Sequence, residues 1–378
     1  MEPLSLLATP RTHSRNVTLA HCQARQSATT ARLRSSHVLA RGLFGTVATL
    51  IALTCCVVSG CGGGGGGSAN SDATSSNASG NTVNSASSVV ATAGTLRANV
   101  AATPWMSYYG SSSTLSSLAT VANTFHVMDI DLDPGLGGFA ASDVVTLKAG
   151  GANVVLSYLN VGSCESFRSY WTTVPSGFVS CNANTAAQLG MYAGYANETW
   201  MNPSNADYQH LIVDYVAPQL VAQGADGFYL DNMEIVEHGT ATTNGPCDAT
   251  CAQGGLDLVR MLREKYPSLV IVLQNATSDV TRLGTTGGIA FASLLDGIAH
   301  ESVYNPYDAT AEAQLVAWQS LQLTRNGHAL WIATLDYVGD CTQTAKAQAI
   351  YKLSRAKGFV PYASDKSSGQ NVVCYWGF

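Results

Sequence analysis

Eight short apolar runs recur between residues 104 and 364, and most of them break off at a carboxylate, an amide or a tyrosine. They are "PWMSYYG" (104–110), "FHVMDID" (125–131), "NVVLSYLNVG" (153–162), "DGFYLDNM" (226–233), "LVIVLQNA" (269–276), "DGIAHESVY" (296–304), "ALWIATLDY" (329–337) and "GFVPYAS" (358–364). Four longer stretches lie among them: "DYQHLIVDYVAPQLVAQG", "LDLVRMLREKYPS", "TAEAQLVAWQSLQLTRNG" and "TQTAKAQAIYKLSRAKG". These carry apolar residues at three- and four-residue spacing, as amphipathic helices do. Strand runs alternating with helices are the pattern of βα units around a parallel sheet. The count predicts a (β/α)8 barrel formed by a single domain over 101–378. Residues 163–205 are too many for one loop and helix, and read as an elaborated third connection.

In such a barrel the chemistry sits at the carboxyl ends of the strands. The runs deliver Tyr108 and Tyr109, Asp129 and Asp131, Asn160, Asp231 and Asn232, Gln274 and Asn275, Glu301, Asp336 and Asp365 there. One terminal carboxylate is explained by capping of the following helix. Five of eight runs ending in one exceed what capping accounts for, and predict an acidic cleft open to a polar ligand.

The first sixty residues stand apart. They hold six arginines and one acid, Glu2, followed by the apolar run "GLFGTVATLIALTCCVVSGC", Gly42 to Cys61. A basic segment leading into an apolar one of this length reads as a secretory signal, 1–61. Val58-Ser59-Gly60-Cys61 resembles the bacterial lipoprotein signal, which implies lipidation at Cys61. Gly62 rather than Asp after the cysteine implies the outer membrane of a diderm envelope, with plain secretion as the alternative. Residues 62–100 are Gly, Ser, Asn, Ala and Thr with little charge, the composition of a flexible tether.

Six cysteines follow: Cys164, Cys181, Cys247, Cys251, Cys341 and Cys374. An even number in an exported domain points to disulfides, and proximity favours Cys164–Cys181, Cys247–Cys251 and Cys341–Cys374. A zinc site at "CDATC" lacks a second pair of ligands, and His126, His210, His238, His300 and His328 show no zinc spacing. "GTTGG" (284–288) lacks the lysine of a phosphate cradle, and no serine triad is visible. No metal or organic cofactor is indicated. From residue 101 onward, 23 acids face 12 bases, a formal charge of −11. That charge disfavours nucleic acid and suits a cationic or neutral ligand. A monomer is expected, touching the membrane only through its N-terminal lipid.

Acidic barrel mouths lined with tyrosine and tryptophan suit carbohydrate, and glycosidic cleavage needs two carboxyl groups of separated pKa. Four blocks, "VLSYLNVGSCESFRSYW" (155–171), "ETWMNPSNADYQHLI" (198–212), "GADGFYLDNMEIV" (224–236) and "GFVPYASDK" (358–366), together resemble glycoside hydrolase family 114. That family comprises endo-α-1,4-polygalactosaminidase-type enzymes on TIM barrels. The resemblance runs from about Trp105 to the end. It departs from the family pattern at "NVGSCES", where a small residue followed by Gly-Glu or Gly-Ala-Glu is common; Glu165 remains available there.

The resemblance implies a nucleophile at Asp231, an acid/base at Glu301 and a retaining cut within a galactosamine-containing polysaccharide. The plainer roles for these two are a helix cap or a salt-bridge partner. Asp129 and Asp131 alternate along their run, and are expected either to bind an amino or hydroxyl group of the sugar or to hold a turn at Asp133-Pro134. Glu165 and Arg168 are expected to contact each other and substrate, or to form only a surface ion pair. Trp200 and Asn202 read as a sugar platform or as core. Tyr108, Tyr304, Gln274, Asn275, Asp336 and Tyr337 are expected to line the cleft, with Glu234 as a reserve carboxylate. The rival readings are a hydrolase of another amino-sugar or neutral α-glycan, and a non-catalytic polysaccharide-binding lipoprotein.

Overall fold

The computed structural model describes residues 103–325, 328–366 and 369–378. The signal segment, Cys61 and the tether lie outside the described residues. All eight runs form parallel strands of one sheet: β1 (Trp105–Tyr108), β2 (Val127–Ile130), β3 (Val154–Asn160), β4 (Gly227–Asp231), β5 (Val270–Gln274), β6 (Gly297–Glu301), β7 (Trp331–Tyr337) and β8 (Val360–Ser364). They neighbour one another in chain order from β1 to β8. β8 then lies against β1. No ladder joins this last pair among the described residues; the Trp105 indole spans the seam to the Val360 carbonyl at 3.0 Å. The fold is a (β/α)8 barrel.

Side chains alternate across each strand, and the registers fix which set points inward. Ser107 pairs with Asp129 and Asp129 with Leu156; Leu156 pairs with Gly227, and Tyr158 with Tyr229. Val272 pairs with Gly297, Gly297 with Trp331, and Leu335 with Tyr362. Trp105, Tyr229, Trp331 and Tyr362 therefore share the interior, and the Trp105 ring lies 5.2–6.3 Å from the other three. Small residues make room for them. A Cβ on Gly297 would stand 3.0 Å from the Trp331 ring, and one on Gly227 would stand 2.2 Å from the Val270 carbonyl.

Outside the sheet run α1 (Leu118–Thr124), α2 (Ala141–Leu147), α3 (Ala206–His210, continuing through a π-helical stretch Leu211–Val216 into Ala217–Ala222), α4 (Ala249–Lys265), α5 (Ala309–Ser320) and α6 (Thr344–Ala356). α4 starts upstream of the apolar period that announces it, because Asp248 caps it by accepting from the Cys251 amide and Cys247–Cys251 ties the same turn. The third connection holds a three-stranded antiparallel sheet of Ser163–Glu165, Glu198–Met201 and Gln188–Met191. All three expected disulfides are formed, with Cα separations of 6.4, 5.3 and 5.1 Å in chain order. The third anchors the C-terminal tail, whose Trp376 indole donates to the Ala363 carbonyl of β8.

Candidate active site

Strand alternation sends three carboxylates to the interior at the carboxyl ends of β2, β4 and β6: Asp129, Asp231 and Glu301. Asp129 is fully buried, and its Oδ2 accepts from Ser107 Oγ and from the Tyr109 hydroxyl, both at 2.6 Å. Its Oδ1 has no hydrogen-bond partner. Burial, reinforced by Asp231 and Asp131, pushes the Asp129 carboxyl well above the usual range, although both donors oppose the shift. Burial and Asp129 push the Tyr109 phenol up as well, so it remains a donor. Ser107 is oriented in turn by Gln370 Nε2 at 2.6 Å, and the Gln370 carbonyl takes the Tyr109 amide at 2.7 Å. A residue of the C-terminal tail thus completes the seat of Asp129.

Glu301 is half-buried and held on both oxygens. The Tyr337 hydroxyl donates to Oε1 and Asn275 Nδ2 to Oε2 at 3.0 Å, while the Glu301 amide donates to Asn275 Oδ1 at 2.9 Å. Asn275 reaches this position with a left-handed φ of 62°. His300 points to the other face of β6. Its Nδ1 meets the Glu301 carbonyl at 2.8 Å, and burial lowers its pKa, which keeps the ring neutral.

Asp231 closes β4 and is buried. Its successor Asn232 turns left-handed, φ 61°, and leaves the cleft. Asn232 Nδ2 donates to Glu198 Oε1 at 2.6 Å and to Ser163 Oγ at 2.8 Å. The same Glu198 oxygen accepts from Ser163 Oγ at 2.5 Å and from Asn160 Nδ2 at 3.0 Å. One buried carboxylate of the accessory sheet therefore fixes the ends of β3 and β4 together. Gly162 allows the approach, since a Cβ there would stand 1.8 Å from the Asn232 carbonyl.

Several expected cleft residues face elsewhere. Tyr108 has the opposite parity to Ser107; its ring packs on Phe139 and its hydroxyl donates to the Ser111 carbonyl at 2.9 Å, outside the barrel. Asp336 alternates away from Tyr337, and its Oδ1 accepts the Tyr304 and Asn305 amides at 2.7 and 2.9 Å. Burial pushes it up to about 6. Tyr304 is buried, packs on Tyr307 and faces Glu312 of α5. Trp200 is fully buried, stacked on Tyr192 at 4.0 Å and bonded through Nε1 to Asn244, so it offers no open face to a sugar. Asn202 accepts from Ser204 as a turn residue.

Asp131, Glu165 and Arg168 meet in one buried ion cluster with Asp133. The guanidinium lies 2.6 Å from Glu165, 2.9 Å from Asp131 and 3.1 Å from Asp133. Burial disfavours its charge, but Asp131 and Glu165 outweigh that and raise its pKa well above the ordinary value. Glu165 also accepts from Tyr158. The surface ion pair considered from sequence is thus a core one, binding the third connection to the end of β2. Gln274 points inward, is buried, and its Oε1 has no partner. Glu234 accepts from Tyr192, which borders Asp231 electrostatically.

The sequence reading missed Ser107, Ser163, Glu198, Tyr229 and Gln370 as members of this arrangement. Tyr229 alone carried a visible signal, being two residues before Asp231 on one strand and hence on the same face. Among the described residues no group of three or more His, Cys, Asp or Glu side chains is arranged to hold a metal ion.

The family model for glycoside-hydrolase family GH114 matches residues 90–377. A protein of Deinococcus radiodurans carrying no functional name is 24% identical over 237 residues, which cover 58% of this chain and 66% of that relative, just under two thirds of its length. Among solved structures, the glycoside hydrolase domain of PelA from Pseudomonas aeruginosa is similar with TM-score 0.53 and 16% identity, covering 71% of this chain and 96% of that domain. A variant of the same domain gives 0.52 at the same identity and coverage. At such identity these structures speak for the barrel alone.

Proposed function

Because the chain belongs to glycoside-hydrolase family GH114, we propose that this glycoside hydrolase cuts internal α-1,4 linkages of a galactosamine-containing polysaccharide, with retention. Glu301 protonates the leaving oxygen while Asp231 attacks the anomeric carbon, giving a glycosyl ester and an ionised Glu301. Glu301 then takes a proton from water, which attacks the same carbon and releases Asp231. The observation that carries this reading is the parity of β4 and β6, which aims both carboxylates into the barrel mouth. The clamp of Tyr337 and Asn275 on Glu301 adds to it.

A net-acidic domain with three interior carboxylates supports a substrate bearing free amino groups. The amino-terminal composition supports export, with Cys61 lipidated and 62–100 as the tether of a monomer to the cell envelope.

The test is release of new reducing ends from purified galactosaminogalactan, beside its N-acetylated form and a neutral α-glycan. Asp231→Asn and Glu301→Gln are each expected to lose at least about 100-fold in kcat. Full activity in either variant removes that residue from its role, and polymer retention without new ends removes the catalytic reading. Loss of labelled fatty acid from Cys61→Ser tests the anchor.

A further inference from the structure

Tyr229 sits at the centre of β4 with no exposed surface. It pairs with Tyr158 on β3 and Val272 on β5, and its ring rests above the Trp105 indole at 6.3 Å. Asp231 follows two residues later on the same face. The ring has a packing role that phenylalanine would fill at almost the same volume. Its hydroxyl has none: it is buried and makes no hydrogen bond among the described residues. Leaving a buried donor unpaired is unfavourable, so a purely structural ring has no use for it.

What the hydroxyl does have is neighbours. It lies within electrostatic range of Asp129 on β2, Glu301 on β6 and Asp231 on its own strand, and of the Tyr109 phenol above. Burial first, then those three carboxylates, push its pKa well up, so it acts only as a donor. Asp129 Oδ2 already accepts hydrogen bonds from Ser107 and Tyr109, and Glu301 accepts them from Tyr337 and Asn275.

In a retaining cycle one negative charge travels. It begins on the nucleophile, leaves it when the glycosyl ester forms, appears on the acid/base, and returns on hydrolysis. Resting on the assignment of Asp231 and Glu301 above, we propose that Tyr229 is a positioning residue whose hydroxyl, committed to neither carboxylate in the free enzyme, donates to Asp231 before glycosyl transfer and to Glu301 after it. A donor already inside a dry site needs no solvent to reorganise as the charge moves.

Tyr229→Phe tests this on the full-length enzyme, beside Asp231→Asn and Glu301→Gln. The expected result is a roughly 10-fold fall in kcat with KM within about twofold, the scale of one hydrogen bond to a charged group. The acid limb of the kcat–pH profile, which reports the enzyme–substrate complex, should move to higher pH, since an Asp231 carboxylate that loses its donor there holds its proton longer. Thermal stability should be unchanged or higher, because the ring remains and an unpaired hydroxyl goes. A wild-type kcat and kcat–pH profile overturns the proposal, and so does a fall in kcat accompanied by lower stability and no movement of that limb. If Asp231→Asn or Glu301→Gln keeps full activity, the assignment of the carboxylates falls and takes this inference with it. If both are inactive while Tyr229→Phe matches wild type, only the role of Tyr229 falls.

Discussion

The Tyr337 hydroxyl on β7 donates to the Glu301 carboxylate at the end of β6. The two belong to adjacent strands in fixed register, so the side chain that aims the proposed acid/base is itself set by the barrel. Tyr337→Phe keeps the ring and removes the donor. The expected outcome is a 10- to 100-fold drop in kcat on galactosaminogalactan with little change in KM, the usual scale of a hydrogen bond to a charged group. A rise in KM at constant kcat would instead make Tyr337 a simple binding residue.

Glu198 lies off the barrel yet gathers Asn160, Ser163 and Asn232 on one oxygen. Glu198→Ala leaves three buried donors unmatched, which costs about 2–4 kcal/mol of stability and loosens the strand end that carries Asp231. Glu198→Gln retains an oxygen and should restore most of both stability and activity. Denaturant melts and turnover measured on the two variants decide it; an Ala variant as stable as wild type would show that the hub holds nothing.

Asp336 provides a pH test of folding. Burial raises its folded value to about 6, above the ordinary carboxylate value of 3.8. A raised acid favours the folded state while protonated, so its contribution is complete below about pH 4 and is lost as pH rises through 6, an effect of up to roughly 3 kcal/mol. Asp336→Asn keeps an acceptor for the Tyr304 and Asn305 amides and removes the titration. Melting temperatures from pH 3.5 to 7.5 should show the variant gaining on wild type as pH rises. Parallel curves would rule the effect out.

Cys341–Cys374 closes a loop of sequence separation 33 and holds the tail that carries Gln370. Replacing both cysteines by serine is expected to cost roughly 3–4 kcal/mol by loop closure. It should also raise KM, because Gln370 steadies Ser107 and Tyr109 around Asp129. Replacing Cys247 and Cys251 in the same way, in a turn that bonds to Asp248 at the start of α4 rather than to Gln370, should leave KM alone.

The barrel was legible in the sequence because its strands are covered on both faces and so read as unbroken apolar runs bounded by polar ends. The same property hides parity. "PWMSYYG" and "ALWIATLDY" show no alternation, so nothing distinguished Tyr109 from Tyr108, or Tyr337 from Asp336, as the residue facing the cleft. Asp231 and Glu301 stood out as carboxylates ending apolar runs, as Asp336 did; it is the strand registers that turn the first two to the interior and Asp336 away from it. Glu198 was not legible: its partners Ser163 and Asn160 lie 35 and 38 residues away, across a segment whose polar composition conceals a small sheet. Arg168 was visible as a partner of Glu165, but its burial depends on Asp131 and Asp133, which come from a different strand end.

Where β8 meets β1, the closure of the barrel rests on the Trp105 indole and on the tail that brings Gln370 to Ser107 and Tyr109. Those last two side chains are also what hold Asp129. The line along which the cylinder most easily unzips therefore runs through the wall of its own cleft. Warming is expected to open the wall around Asp129 before the rest of the scaffold, so loss of activity should precede melting.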